Sequence, residues 1–125
     1  MTVAGLGCRA GCPAGAVLAL IAEALARVGG GRLDALATAA FKRDEPGLVA
    51  AARQLGLPLL AIESAALAAV AAACPTRSAR VLAAVGQASV AEAAALAATA
   101  PRGTLILPRI SNGLATCALA REEEP

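Results

Sequence analysis

The fold is decided near the start of the chain, where a strand, a glycine-rich turn and a helix follow one another. Residues 2–28 read TVAGLG-CRAGCP-AGAVLALIAEALARV. The first six are mostly apolar and close on glycine, as is typical of a buried strand that enters a tight turn. After Pro13 the apolar residues recur at helical spacing, and Glu23 and Arg27 form an exposed i, i+4 pair. This change of period predicts a β–α unit.

The alternation of strands and helices continues along the chain. Strands are predicted at residues 2–7, 36–41, 57–62, 104–110 and 114–120. Helices are predicted after Pro13, after an N-cap at Asp44, after a cap at Ser64, at residues 78–85 and at residues 89–99. This order indicates an α/β domain: a three-layer, mostly parallel sheet of about five strands with helices on both faces. A hairpin-length turn at residues 111–113 links the last two strands, so at least one is antiparallel to its neighbour.

Length and composition predict one domain with an unusual core. The 125 residues suit a single domain over residues 1–121, followed by an acidic tail at 122–125. Disorder is excluded, because 58% of the residues are hydrophobic and 16% charged. The chain has 37 alanines but one Phe and no Trp or Tyr. Such a core must depend on close backbone approach rather than on aromatic side chains.

Charge and hydropathy exclude several classes of protein. A net charge of +2 without a basic stripe predicts no nucleic-acid partner. The longest apolar stretch, residues 65–74, is too short to cross a membrane and ends at Pro75, and no secretion signal precedes the first strand. We therefore expect a cytoplasmic protein with reduced thiols. Four cysteines without any histidine predict neither a zinc site nor another bound metal or resident cofactor.

The turn after the first strand is a candidate ligand site that includes Gly5, Gly7, Cys8 and Arg9. Glycines there let the backbone turn sharply and expose N–H groups to an anion near a helix N-terminus, and Arg9 adds a cation. The spacing G-x-G-x-x-x-G is not a dinucleotide fingerprint. The alternative is a plain strand-to-helix turn with solvated side chains.

The densest polar cluster of the chain, FKRDEPG at residues 41–47, follows the second strand. In an open α/β sheet this places it at the carboxyl edge, where ligands bind. Lys42 is a candidate to pair with a ligand carboxylate, and Glu45 to act as an acid or base. Asp44 belongs to the same candidate site, although a helix cap explains it equally well. A solvated charged loop is the alternative for Lys42 and Glu45.

A third candidate is Ser89, which begins the sequence SVAE at residues 89–92. A serine followed three residues later by glutamate is a capping box, and it predicts a helix N-terminus. A hydroxyl at such a terminus also suits an anion. Both interpretations stay open for Ser89, with the cap as the simpler one.

Four segments in this order resemble the CobE/CbiG C-terminal family of cobalamin biosynthesis. They are residues 3–9, VAGLGCR; residues 38–48, TAAFKRDEPGL; residues 89–96, SVAEAAAL; and residues 116–121, TCALAR. The resemblance covers nearly the whole chain and implies a place in corrin-ring assembly. It implies a tetrapyrrole-derived intermediate, precorrin or corrinoid, as ligand, and other enzymes of the pathway as partners.

Three functions are compatible with this resemblance. The first is binding or handing on a precorrin or corrinoid intermediate, whose carboxylates would meet Arg9 and Lys42. The second is a hydrolase-type activity, as in fused CbiG proteins, in which Glu45 or Lys42 would help water open the δ-lactone of cobalt-precorrin-5A. Since the chain lacks the N-terminal part of those proteins, we expect no independent hydrolase activity. The third is a structural partner domain that docks on a pathway enzyme.

Overall fold

The computed structural model describes residues 1–71 and 90–122, which contain five strands, four α-helices and one 3-10 helix. In chain order they are β1 (Thr2–Cys8), α1 (Ala14–Arg27), β2 (Ala35–Ala39), a 3-10 helix (Ala40–Lys42), α2 (Pro46–Leu55), β3 (Leu59–Ile62), α3 (Ser64–Val70), α4 (Val90–Thr99), β4 (Gly103–Ser111) and β5 (Ala115–Glu122). The predicted helix at residues 78–85 lies outside the described residues.

The five strands form one open, mixed sheet in the order β3-β2-β1-β5-β4. β1, β2 and β3 pair in parallel, whereas β5 is antiparallel to β1 and β4 is antiparallel to β5. It follows that β4 runs in the direction of β1, and that β5 alone is reversed. The predicted α/β fold with a hairpin between the last two strands is confirmed.

Helices cover both faces of the sheet. Because successive residues of β1 point to opposite faces, Ala4 and Leu6 enter the core beneath α1 and α2, while Val3 enters the core beneath α3 and α4. The two clusters share no residue, so the sheet separates two cores and the domain has three layers. The predicted pair on α1 is present, with Arg27 Nη2 2.6 Å from Glu23 Oε2.

The second core depends on close backbone approach, as the alanine content predicts. A Cβ atom built on Gly5 would overlap the carbonyl oxygen of Ala91 and crowd Ala95, so α4 lies directly against β1. The buried side of α4 consists mainly of alanines. Small residues at this contact let the helix and strand backbones come closer than larger side chains would allow.

Several element boundaries differ from the sequence prediction. The second strand ends at Ala39 rather than residue 41, because the Arg43 N–H donates to the Ala40 carbonyl and turns the chain into the 3-10 helix. Asp44 is not the N-cap of α2: the cap position is Glu45, which makes no side-chain cap bond. Ser64 is likewise the first residue of α3 rather than its cap.

The two ends of the described chain lie side by side. The Met1 ammonium group donates to the Glu122 carbonyl at 3.0 Å, and the Glu122 N–H donates to the Met1 carbonyl at 2.8 Å. β5 therefore extends one residue past the predicted domain boundary at 121. Among the described residues, no helix is both long and apolar enough to serve as a membrane span.

Candidate functional site

The carboxyl ends of four strands share one edge of the sheet. β1, β2, β3 and β4 run in the same direction, so the segments that follow Cys8, Ala39, Ile62 and Ser111 come together there. Ligands of open α/β sheets bind outside this edge. Two structures occupy it: a cleft between β1 and the β4–β5 hairpin, and a junction between the first loop and α2.

The cleft encloses about 370 Å³ and is called the arginine cleft here. Its lining residues are Gly7, Cys8, Arg9, Val90, Arg109, Ser111, Gly113, Leu114, Ala115 and Thr116. Arg9 and Arg109 come from different walls, the first loop and β4, and both side chains are exposed. Val90 is the first residue of α4. Two guanidinium groups near a helix N-terminus make the opening suitable for an anionic group.

Hydrogen bonds hold the two walls of the arginine cleft together. The Arg9 N–H donates to the Leu114 carbonyl at 3.0 Å, which ties the first loop to the hairpin. Asn112 accepts from the N–H of Ala115 at 2.9 Å and donates to the Ala16 carbonyl at 3.1 Å. The hairpin turn is thus fixed to the start of α1, and the Arg9 backbone is held against the hairpin.

Two of the predicted site glycines have different surroundings. Gly7 lines the arginine cleft, and a Cβ on it would come within 2.7 Å of the Thr116 hydroxyl oxygen. Gly5 is buried beneath α4 and does not line the cleft. The missing side chain of Gly5 instead allows β1 and α4 to pack closely.

The second structure at this edge, the Glu45 junction, joins residues 11–13 of the first loop to residues 45–47 at the start of α2. The Gly11 N–H donates to Glu45 Oε1 at 2.6 Å. A Cβ on Gly47 would overlap the Cys12 carbonyl oxygen, so the two backbones touch. The Glu45 carboxylate therefore anchors the loop, which explains why it does not cap its own helix.

Lys42 and Glu45 lie within electrostatic range of Cys8, which lines the arginine cleft. Partial burial raises the pKa of Cys8; the Lys42 charge lowers it, and the Glu45 charge raises it further. Burial and Glu45 likewise raise the pKa of Cys12. The predicted residues Lys42 and Glu45 thus lie close enough for their charges to influence the predicted residue Cys8. Asp44 is exposed on the turn before α2, and Ser89 lies outside the described residues.

Three residues near this edge were not predicted from the sequence. Arg109 lines the cleft, and Glu92, fully buried on α4, accepts a hydrogen bond from the Arg109 N–H at 2.9 Å. Phe41, the chain's only aromatic residue, is 66% exposed. Within residues 1–71 and 90–122, no three His, Cys, Asp or Glu side chains are placed to hold a metal ion.

The comparison with known families identifies the chain. A family described as "Cobalamin synthesis G C-terminus" matches residues 2–120. The chain belongs to this family. The resemblance seen in the four sequence segments is confirmed, and membership in the CbiG C-terminal family makes this a protein of cobalamin biosynthesis.

One curated relative and two solved structures agree with the assignment to the CbiG C-terminal family. Protein CobE of Sinorhizobium sp. is 38% identical over 120 residues, which cover 94% of this chain and 78% of that protein. The crystal structure of CobE, a protein from the cobalamin biosynthetic pathway, is 39% identical with a TM-score of 0.90, covering 97% of this chain and 89% of that one. Cobalamin biosynthesis protein ChiG from Agrobacterium tumefaciens is 36% identical with a TM-score of 0.81, covering 99% and 100%.

Proposed function

We propose that this protein binds a precorrin or corrinoid intermediate at the carboxyl edge of its sheet and hands it on within the pathway. The observation that carries the proposal is the arginine cleft, which both Arg9 and Arg109 line. Its volume of about 370 Å³ lies in the range of small-molecule sites.

The charges at this edge match the chemistry of such a ligand. Corrin precursors carry acetate and propionate carboxylates around a broad apolar ring. A guanidinium group binds a carboxylate through two parallel hydrogen bonds, so Arg9 and Arg109 each suit one peripheral carboxylate. Lys42, one strand away, adds a further cation. The ring carboxylates would enter the cleft while the ring itself stays outside it.

An exposed aromatic side chain at the same edge supports this arrangement. Phe41 belongs to the 3-10 helix that follows β2 and is next to Lys42. The core of this chain has no aromatic side chain, and its single phenylalanine is 66% exposed. A broad apolar ring lying across the edge would cover the phenyl group and remove apolar surface from water.

The surroundings of Glu45 favour binding over hydrolysis. Lactone opening needs a positioned base within reach of water and donors aimed at the developing oxyanion. The Glu45 carboxylate instead accepts a hydrogen bond from Gly11 at 2.6 Å, and Glu45 does not line the arginine cleft. Its contacts are those of a structural anchor.

The test is an absorbance titration of the purified protein with hydrogenobyrinic acid, a corrinoid with free carboxylates. We expect Arg9→Ala and Arg109→Ala each to weaken binding by about tenfold, as loss of a charge-assisted hydrogen bond does. Arg102→Ala is the matched control, because Arg102 is exposed and precedes β4 at the opposite edge of the sheet. It should leave the affinity unchanged.

Two results would contradict the proposal. The first is an affinity that Arg9→Ala and Arg109→Ala leave unchanged, which would place the ligand elsewhere. The second is release of acetaldehyde from cobalt-precorrin-5A by the protein alone, abolished in Glu45→Gln. That result would show that the protein has the hydrolase-type activity instead.

A further inference from the structure

Glu92 is a carboxylate buried in a core that is otherwise nearly all apolar. Its side chain has no solvent exposure, and its neighbours Ala91, Ala93, Ala94 and Ala95 are buried with it. An ionisable group in such a place is costly unless hydrogen bonds compensate for the lost water. Hydrogen-bond partners must therefore compensate for the burial of the Glu92 carboxylate.

One partner lies on a distorted part of β4. Leu107 pairs with Leu119 and Ile110 with Cys117, so Pro108 and Arg109 stand opposite the single residue between them on β5. This is a β-bulge, which leaves the extra residue without a partner on the neighbouring strand and redirects the side chains around it. Glu92 Oε2 accepts the Arg109 N–H at 2.9 Å.

We propose that Glu92 is a positioning residue: it fixes the β4 bulge and so holds the Arg109 side chain at the arginine cleft. The inference rests on the proposed function, because it assigns Glu92 to ligand binding through Arg109. A carboxylate that accepts a backbone N–H makes a short, strong hydrogen bond. Without it, the bulge would lose a contact to α4, and the guanidinium group would occupy a wider range of positions.

The experiment is a double-mutant cycle measured by titration with hydrogenobyrinic acid. Glu92→Ala should weaken binding about as much as Arg109→Ala, by about tenfold. In the Arg109→Ala background Glu92→Ala should cost less than about twofold more, because its effect is exerted through Arg109. In the Arg9→Ala background the two losses should multiply, since Arg9 is on the other wall.

Glu92→Gln is the second variant, because Glu92→Ala removes a buried side chain and is the one at risk of misfolding. The amide keeps the shape and one oxygen acceptor for the Arg109 N–H, so we expect affinity within about threefold of wild type. The amide proton of Arg109, followed by ¹⁵N NMR, should move upfield in Glu92→Gln as its bond to a charged acceptor is lost.

The outcomes separate the two proposals. No binding by the wild-type protein would overturn the proposed function and this inference together. Binding that depends on Arg9 and Arg109, with a Glu92→Ala loss that persists in full when Arg109 is absent, would overturn only the positioning role. An unmoved Arg109 amide resonance in Glu92→Gln would do the same.

Discussion

The arginine cleft and the Glu45 junction lie at the same edge of the sheet but use their charged groups differently. In the cleft, backbone and Asn112 hydrogen bonds hold the walls, and the arginine side chains remain exposed. In the junction, the Glu45 side chain itself makes the hydrogen bond that holds the loop. The Glu45 carboxylate thus has a structural partner, whereas the side chains of Arg9 and Arg109 are exposed.

The comparison shows that charge density along a sequence does not indicate which charged side chains the fold leaves without a structural role. Residues 41–47 are the densest polar cluster of the chain, yet the carboxylate at Glu45 is engaged within the protein. Arg109 stands among apolar neighbours in the sequence and lines the cleft. Arg109 is held through its backbone N–H by Glu92, so its own side chain stays exposed.

The largest effect on stability should come from two glycines that allow close backbone contacts, Gly5 between β1 and α4 and Gly47 at the Glu45 junction. Gly5→Ala would place a methyl group against the Ala91 carbonyl, between a helix and a strand that are both packed. We expect it to lower the free energy of unfolding by about 3 kcal/mol. Gly47→Ala would crowd the Cys12 carbonyl alone, whereas Gly5→Ala crowds both Ala91 and Ala95, so the cost of Gly47→Ala should be smaller, about 1–2 kcal/mol. Urea unfolding measures both.

Gly15→Ala is the control for these two variants. Gly15 lies in α1 with nothing within 4 Å of an added Cβ, so the same substitution should stabilise the protein by about 0.5 kcal/mol through helix propensity. Equal costs for Gly5→Ala and Gly47→Ala would contradict the expectation that the contact between β1 and α4 is the less tolerant of the two.

A smaller effect should separate Glu45 from the cleft arginines. Glu45→Gln weakens the hydrogen bond from Gly11, and we expect a loss of about 1 kcal/mol in unfolding free energy. Affinity for hydrogenobyrinic acid should stay within about twofold of wild type, in contrast to Arg9→Ala. A tenfold loss of affinity with unchanged stability would mean that Glu45 contacts the ligand and does not anchor the loop.

The smallest effect concerns the Cys8 thiol, which lines the arginine cleft. Thiols react as thiolates, and burial raises the pKa of Cys8, so its alkylation at pH 8 should be slow and should accelerate as pH rises. Lys42→Ala removes a charge that lowers this pKa and should slow alkylation about twofold; Glu45→Gln removes one that raises it and should speed it about twofold. Peptide mass mapping after iodoacetamide treatment measures Cys8 separately.

Cys117 provides the internal reference in the same digest. Burial raises its pKa to about 12, so it should stay unmodified in the folded protein at every pH up to 9. If the alkylation rate of Cys8 is the same in Lys42→Ala, Glu45→Gln and wild type, Lys42 and Glu45 do not influence this thiol.

The sequence predicted the type of every described strand and α-helix, because period and turn residues are local properties. It also identified the loop that carries Arg9. It could not predict Arg109, since strand order is a tertiary property. Only the placement of β5 between β1 and β4 turns the end of β4 towards the same edge as Cys8.

The hydrogen-bond partners of Glu45 and Glu92 could not be predicted for a related reason. From the sequence, Glu45 was interpreted as a candidate acid or base in a charged loop, and Glu92 as part of a capping box. Their observed partners, Gly11 and Arg109, lie 34 and 17 residues away. Contacts at that separation depend on how the helices and strands pack, and they produce no periodic pattern in the sequence.

The pairing of Met1 with Glu122 has a consequence for engineering the domain. Both residues lie at the sheet edge opposite the arginine cleft, within hydrogen-bond distance of each other. A linker of a few residues would therefore join them without strain, and new ends opened in the exposed Gly29–Gly31 turn would give a circular permutant with the same fold. A fluorophore or surface tether attached at Met1 would likewise leave the ligand edge unobstructed.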